Sequence, residues 1–141
     1  MTHTHPAQRI IQADRAVIRG IILNISELAA WNPALNWTDT EANVAEVGVS
    51  YSVSTRLPGR ATLTYLRSDE DQVVWRLETL GGTETGEWSL KPAQGFTRVV
   101  HTMTHEGPLF ALMQHATSQV PSWRLGRLQE RAETRAIHGG R

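Results

Sequence analysis

Two histidines, His101 and His105, are the sharpest candidates for chemistry in this 141-residue chain. They lie four apart in the run Arg98-Val-Val-His-Thr-Met-Thr-His105, which alternates as a β-strand does. In a strand both share one face with Val99 and Met103, so both point inward if either does. Their spacing along the strand is about 13 Å, too long to chelate one metal ion. An imidazole titrates near neutral pH, so one of the pair could act as a general base or hold a ligand hydroxyl. The other reading is a neutral, hydrogen-bonded histidine that only lines the interior.

Other chemistries are absent from the residue types. The chain has no cysteine, which removes disulfides, thiolate nucleophiles and sulfur-ligated metals. No Gly-x-Ser-x-Gly nucleophile elbow, phosphate-cradling glycine loop or metal-ligand motif occurs. No metal site and no cofactor is therefore expected. His3 and His5 have His-x-His spacing but fall in a terminus expected to fray. Fourteen basic residues balance 14 acidic ones, so no general field draws nucleic acid or an anionic membrane. Arginine supplies every basic residue except Lys91, and the arginines are scattered singly. Arg67 and Glu87 fall in or near strands and could pair, a surface contact of about 0–1 kcal/mol. No apolar run approaches 18 residues, so no integral membrane association is expected. The start, Met-Thr-His-Thr-His-Pro, lacks the charged and apolar regions of a signal peptide, and a cytoplasmic location is the expectation.

The elements that must hold the histidines follow from periodicity. A chain of this length reads as one domain that buries roughly 68–70% of its unfolded surface. The expected limits are a disordered tail over 1–7, one domain over 8–137 and a tail over 138–141. Residues 8–13 read as a short strand, and Asp14 suits a helix N-cap. Val17, Ile18, Ile21, Ile22 and Ile25 have the spacing of an amphipathic helix, within which Gly20 could admit a close backbone. A second short helix ends at Trp31, ahead of Pro33. A polar edge strand is then expected within 36–47, and strands over 49–56, 60–67, 72–80, 83–91 and 96–105, joined by Gly/Pro or polar turns. No helical crossover fits between them, so they form an antiparallel meander. Gly107-Pro108 opens a long closing helix with Leu109, Leu112, Met113, Ala116 and Val120 on one stripe. Leu125, Leu128 and Ala132 continue it. Pro121 inside such a helix would cost about 3 kcal/mol or more, so a kink or break is expected near 117–121.

Strand, helix pair, meander and long last helix is the order of the helix-grip fold. The chain resembles the START-like (SRPBCC) superfamily, which includes polyketide cyclases/dehydrases and lipid-transport proteins. Three stretches carry the resemblance: Ala13-Asp14-Arg15-Ala16-Val17-Ile18, Trp31-Asn32-Pro33-Ala34, and Gly95-Phe96-Thr97-Arg98-Val99. It covers about residues 8–135. It departs from the family where the first helix lacks tryptophan, where Phe96 is inserted, and where Pro121 interrupts the last helix. It implies an α+β fold: a curved antiparallel sheet of about six to seven strands, two short N-terminal helices, and a C-terminal helix across the concave face, kinked near Pro121. A cone-shaped fold of the nuclear-transport-factor-like kind fits less well, because its long helices precede the sheet.

In such a fold a pocket lies between sheet and helix. Strand parity nominates Tyr51, Tyr65, Trp75, Trp88, His101, Met103 and His105 for its lining. Met113, Val120, Ala116 and Trp123 come from the closing helix, and Trp31 and Asn32 stand near the entrance. This apolar, aromatic set with few polar groups suits a hydrophobic or aromatic small molecule, held by a carrier or sensor that is a monomer or homodimer. The resemblance also implies a cyclase/dehydratase alternative in which His101 or Tyr51, with Tyr65 and Asn32, supplies acid–base groups. A third reading is a groove that takes a protein segment.

Overall fold

The computed structural model describes residues 2–139, with side chains as far as Ile137. Seven strands form one curled antiparallel sheet: β1 (Thr2–Ile11), β2 (Leu35–Thr38), β3 (Ser50–Thr55), β4 (Ala61–Ser68), β5 (Gln72–Thr79), β6 (Gly82–Ala93) and β7 (Phe96–Glu106). Their spatial order is β1-β7-β6-β5-β4-β3-β2, so a meander from β2 to β7 is closed by β1 at the far edge. Helix α1 (Arg15–Leu23), a 3₁₀ turn (Ile25–Glu27) and α2 (Leu28–Trp31) follow β1. After β7 come α3 (Pro108–Leu112), α4 (Gln114–Thr117) and α5 (Val120–Gly139).

Strand alternation decides the inner face. Tyr51, Val53, Leu63, Tyr65, Val73, Trp75 and Leu77 face inward from β3 to β5, as their parity predicts. Glu84, Gly86, Trp88 and Leu90 do so from β6, and Val99, His101, Met103 and His105 from β7. The buried side of α1, Ile18, Ile21 and Ile22, packs into the same core. Four aromatic rings then run edge to face through it. Tyr65 and Trp75 stand 5.9 Å apart, Trp75 and Trp88 5.5 Å, and Trp88 and Trp31 5.8 Å. Gly86 makes room for this row, since a Cβ there would lie 2.3 Å from Trp75 Nε1.

Several expectations change. The tail expected to be disordered over 1–7 is strand from Thr2, paired with β7 from Thr2↔Glu106 to Ile11↔Thr97. His3, His5 and Ala7 turn their partly buried side inward, and Pro6 is tolerated because β1 is an edge strand. The polar stretch 36–47 does hold an edge strand, but a short one, β2 (Leu35–Thr38), and beyond it only Val47 pairs, in an isolated bridge to Tyr65. Asp14 stands at the N-cap position of α1, but its side chain makes no capping bond. No backbone approaches Gly20, whose added Cβ would meet nothing within 4 Å. Of the tail expected over 138–141, α5 takes in 138 and 139, and residues 140 and 141 lie outside the described residues.

The closing helix is three segments. The break falls over 113–119, within the expected neighbourhood, but Pro121 does not interrupt a helix. It occupies the first turn of α5, where a proline removes no helical hydrogen bond. The buried stripe of α5 is Pro121, Arg124, Leu125, Leu128 and Ala132. One member of that stripe is charged.

Candidate functional site

Arg124 is 0% exposed and Glu84 2%, so both charges are out of reach of solvent. An unpaired buried charge is costly, and each is fully matched here. Arg124 clamps the Glu84 carboxylate with two bonds, Nη1 to Oε2 at 2.8 Å and Nη2 to Oε1 at 3.1 Å. The indole Nε1–H of Trp75 donates to Oε2 at 3.0 Å. His105 Nε2 lies 3.2 Å from Oε1. The Nε–H of Arg124 donates to Asn32 Oδ1 at 3.0 Å, and its guanidinium carbon lies 5.5 Å from the centre of the Trp75 ring. One charged cluster therefore ties α5 to β5, β6, β7 and the end of α2.

The partners assign the protonation states. Burial pushes the Glu84 carboxyl up, but the Arg124 charge and the bonds from His105 and Arg124 outweigh it and hold it well below the usual carboxylate range. Glu84 is thus an anion, and His105 Nε2 must carry the proton it donates. Arg124 Nη1 also approaches His101 Nε2 at 3.1 Å, and a guanidinium only donates. His101 is then neutral, with Nδ1–H donating to the Glu87 carbonyl at 3.0 Å. Burial first, and the Arg124 charge second, push the imidazole down to about 3, against the Glu87 bond and the Glu84 charge. His101 also stacks on Trp88, with ring centres 3.7 Å apart and planes 12° apart. Both of its nitrogens are engaged.

His105 differs from it. Its ring stacks on Phe110, 4.0 Å away, and its Nδ1 is buried without a partner among the described residues. His5 stands edge-on to it at 6.5 Å, with its own Nε2 unpartnered. Burial, then the charges of His105 and His3, lower His5. Among the described residues no group of three His, Asp or Glu side chains could hold a metal ion.

A cavity of about 660 Å³ opens beside this cluster, with Glu84 and His105 in its wall. Leu77, Met103, Phe110, Met113 and Val120 make most of it apolar. Met113, Ala116 and Thr117 lie between α3 and α5 and Val120 is the first residue of α5, so the broken part of the closing helix forms part of the cavity wall. Met103, His105, Met113 and Val120, with Ala116 and Trp123, are the nominated residues that the structure brings to the cavity.

The other nominated residues do not line this cavity. Tyr65 donates its hydroxyl to Ile22 O at 2.6 Å, and burial raises its pKa. Trp75 and Trp88 belong to the aromatic row, Trp75 also being bonded to Glu84. Tyr51, a candidate acid–base group, accepts the Glu46 N–H at 2.9 Å, away from the cavity. His101, the other candidate, is sealed between Arg124, Glu87 and Trp88. Asn32 turns to Arg124, and Trp31 lines a second groove along α5. Arg67 pairs with Asp69, not Glu87.

Sequence reasoning missed Glu84 and Arg124. Both had a signal: Glu84 has the parity of Gly86, Trp88 and Leu90, and Arg124 the phase of Leu125, Leu128 and Ala132. A charge in phase with an apolar stripe is a candidate for burial with a partner.

No family model and no curated protein matches the sequence. Solved structures do match the fold. A START superfamily protein from Mycobacterium smegmatis superposes with a TM-score of 0.75 and 14% identity over 94% of this chain and 98% of that one. The Zhui aromatase/cyclase from Streptomyces sp. R1128 gives 0.73 at 13% identity over 99% and 98%. Norcoclaurine synthase from Thalictrum flavum gives 0.72 at 9% identity over 92% of each. A seven-stranded curled antiparallel sheet gripped by a long C-terminal helix, matched over nearly the whole length of these structures, is the helix-grip fold.

Proposed function

We propose that the protein binds a hydrophobic small molecule in the cavity between sheet and closing helices, as a carrier or sensor. The observation that carries this is the cavity itself: about 660 Å³, within the range of small-molecule sites, and walled mainly by Leu77, Met103, Phe110, Met113 and Val120. A chain whose buried charges are all matched has no stability reason to leave that volume unfilled, since close packing is the norm for interiors. That similarly folded proteins include an aromatase/cyclase and a synthase supports a fold that accommodates organic molecules. The neutral dye N-phenyl-1-naphthylamine is expected to bind with a blue-shifted rise in fluorescence. Val120→Trp, which places an indole in the wall, is expected to weaken that binding at least tenfold with unchanged circular dichroism. A dye that binds both proteins equally, or neither, removes the reading.

A second reading has its own observation. His105 donates Nε2–H to a buried carboxylate and presents an unpartnered Nδ1 beside the cavity. That is the arrangement of an oriented general base. His105, in place of His101 or Tyr51, would take a proton α to the carbonyl of an apolar ketone and return it to the same carbon. Deuterium exchange at the α-carbons of 2-decanone, followed by NMR, is expected to accelerate with the protein and to fall to background with His105→Gln. No acceleration by the native protein leaves a binding protein without this chemistry.

A further inference from the structure

We infer that the cavity selects amphipathic anions, molecules with an apolar body and one carboxylate or similar acidic head; this rests on the cavity reading above. Arginines from three separate elements line the same cavity: Arg9 of β1, Arg56 after β3 and Arg127 of α5. Only one exposed anion, Glu130, shares the wall with them. The other acidic group there, Glu84, is already neutralised by Arg124. The wall accessible to a ligand therefore carries an excess of positive charge, although the whole chain is neutral.

The three arginines are not equally available. Arg9 gives Nη1–H to Gln129 at 2.9 Å, and Arg56 gives Nε–H to the Pro33 carbonyl at 2.7 Å. Those bonds steady the side chains and leave other guanidinium donors unused. Arg127 makes no ion pair among the described residues and is exposed. A guanidinium fork fits a carboxylate with two parallel bonds, and such charge-assisted bonds are about twice as strong as neutral ones. Deeper in the cavity an anionic head gains little, because Leu77, Met103 and Phe110 are apolar and Glu84 is itself an anion whose bonds all come from the protein. The ligand's tail thus lies toward Met103 and Phe110 and its head toward Arg127 and Arg56. Partial exposure of the head limits the gain, and a tenfold preference is the scale expected.

The test uses matched ligands, decanoate and 1-decanol, each displacing N-phenyl-1-naphthylamine from the full chain at pH 7.5 and low salt. The native protein is expected to favour decanoate about tenfold. That ratio is expected to fall to one or less in Arg56→Gln/Arg127→Gln, and to shrink in the native protein at 0.5 M salt, where exposed charges are screened. Both ligands displacing the dye with a ratio of one or less in the native protein overturns the inference and leaves the cavity reading standing. A ratio that persists in the double variant assigns the preference elsewhere and overturns it too. If neither ligand displaces the dye, or the dye does not bind, the cavity reading itself is lost and this inference with it.

Discussion

Arg124→Met is expected to lower the unfolding free energy by about 3–5 kcal/mol, the cost of leaving one member of a buried ion pair without its partner. Methionine keeps most of the side-chain volume, so the loss reports charge and hydrogen bonding more than a cavity. The Glu84 carboxylate loses two of its four donors and its counter-charge. Asn32 Oδ1 keeps only the Ala34 N–H, and His101 Nε2 loses its donor. Glu84→Leu is expected to cost a similar amount, since it strands the guanidinium. The double variant is the informative one. With both charges gone, no ion remains in the core, so Glu84→Leu/Arg124→Met should cost clearly less than the two single losses together. Urea unfolding of the four proteins at pH 7.5 measures this. Additive losses, or a single loss below about 1 kcal/mol, would show that Arg124 is not buried in this pair.

The fold was readable because its elements obey one rule each. Alternation in 49–56, 60–67, 72–80, 83–91 and 96–105 set the inner face, and hydrophobic burial enforces the same parity that the pattern suggests. The ends were harder. Thr-His-Thr-His-Pro has the alternation of a strand but no apolar face and a proline, and only pairing with β7 decides that it is one. Pro121 was legible as a breaker but not on which side the break falls. A proline that starts a helix and one that stops it look alike in sequence, and here Gln119 and Val120 begin the new turn.

The site was legible by half. Parity found Val99, His101, Met103 and His105 on the inner face of β7, yet could not say which histidine is enclosed and which faces the cavity. That difference is made by Arg124, a residue 23 positions away from His101, and by Glu84 at 21 from His105. The large aromatic residues misled for a related reason. Trp75 and Trp88 face the concave side as expected, but each other's rings and Trp31 cover them before any ligand could. Inward parity establishes burial; whether a buried residue meets a neighbour or a void depends on packing from elements distant in sequence.

The same buried cluster makes the protein acid-labile from a higher pH than ordinary carboxylates would. His101 is held neutral in the folded state down to about 3, whereas an unfolded histidine takes up its proton near 6.5. Between those values the unfolded chain binds more protons than the folded one. Stability therefore rises with pH through this window and is lost as pH falls through it, by up to about 1.4 kcal/mol per pH unit for this one group. From pH 7 to pH 5 the loss assigned to His101 is about 2 kcal/mol. Glu84 adds to it at lower pH: its folded value is depressed, so its contribution is complete above the ordinary carboxylate value and declines below it, as the unfolded carboxyl protonates first. His5, lowered in the same sense, contributes in the histidine range but is untouched by changes at position 101. His101→Gln isolates the effect. A glutamine can accept from Arg124 and donate toward Glu87 without titrating. Urea unfolding at pH 7, 6 and 5 is expected to show a slope in the native protein that is about 2 kcal/mol smaller over this range in the variant, whatever the variant's absolute stability. Equal slopes would mean that His101 charges in the folded state, and so that Arg124 does not occupy its Nε2.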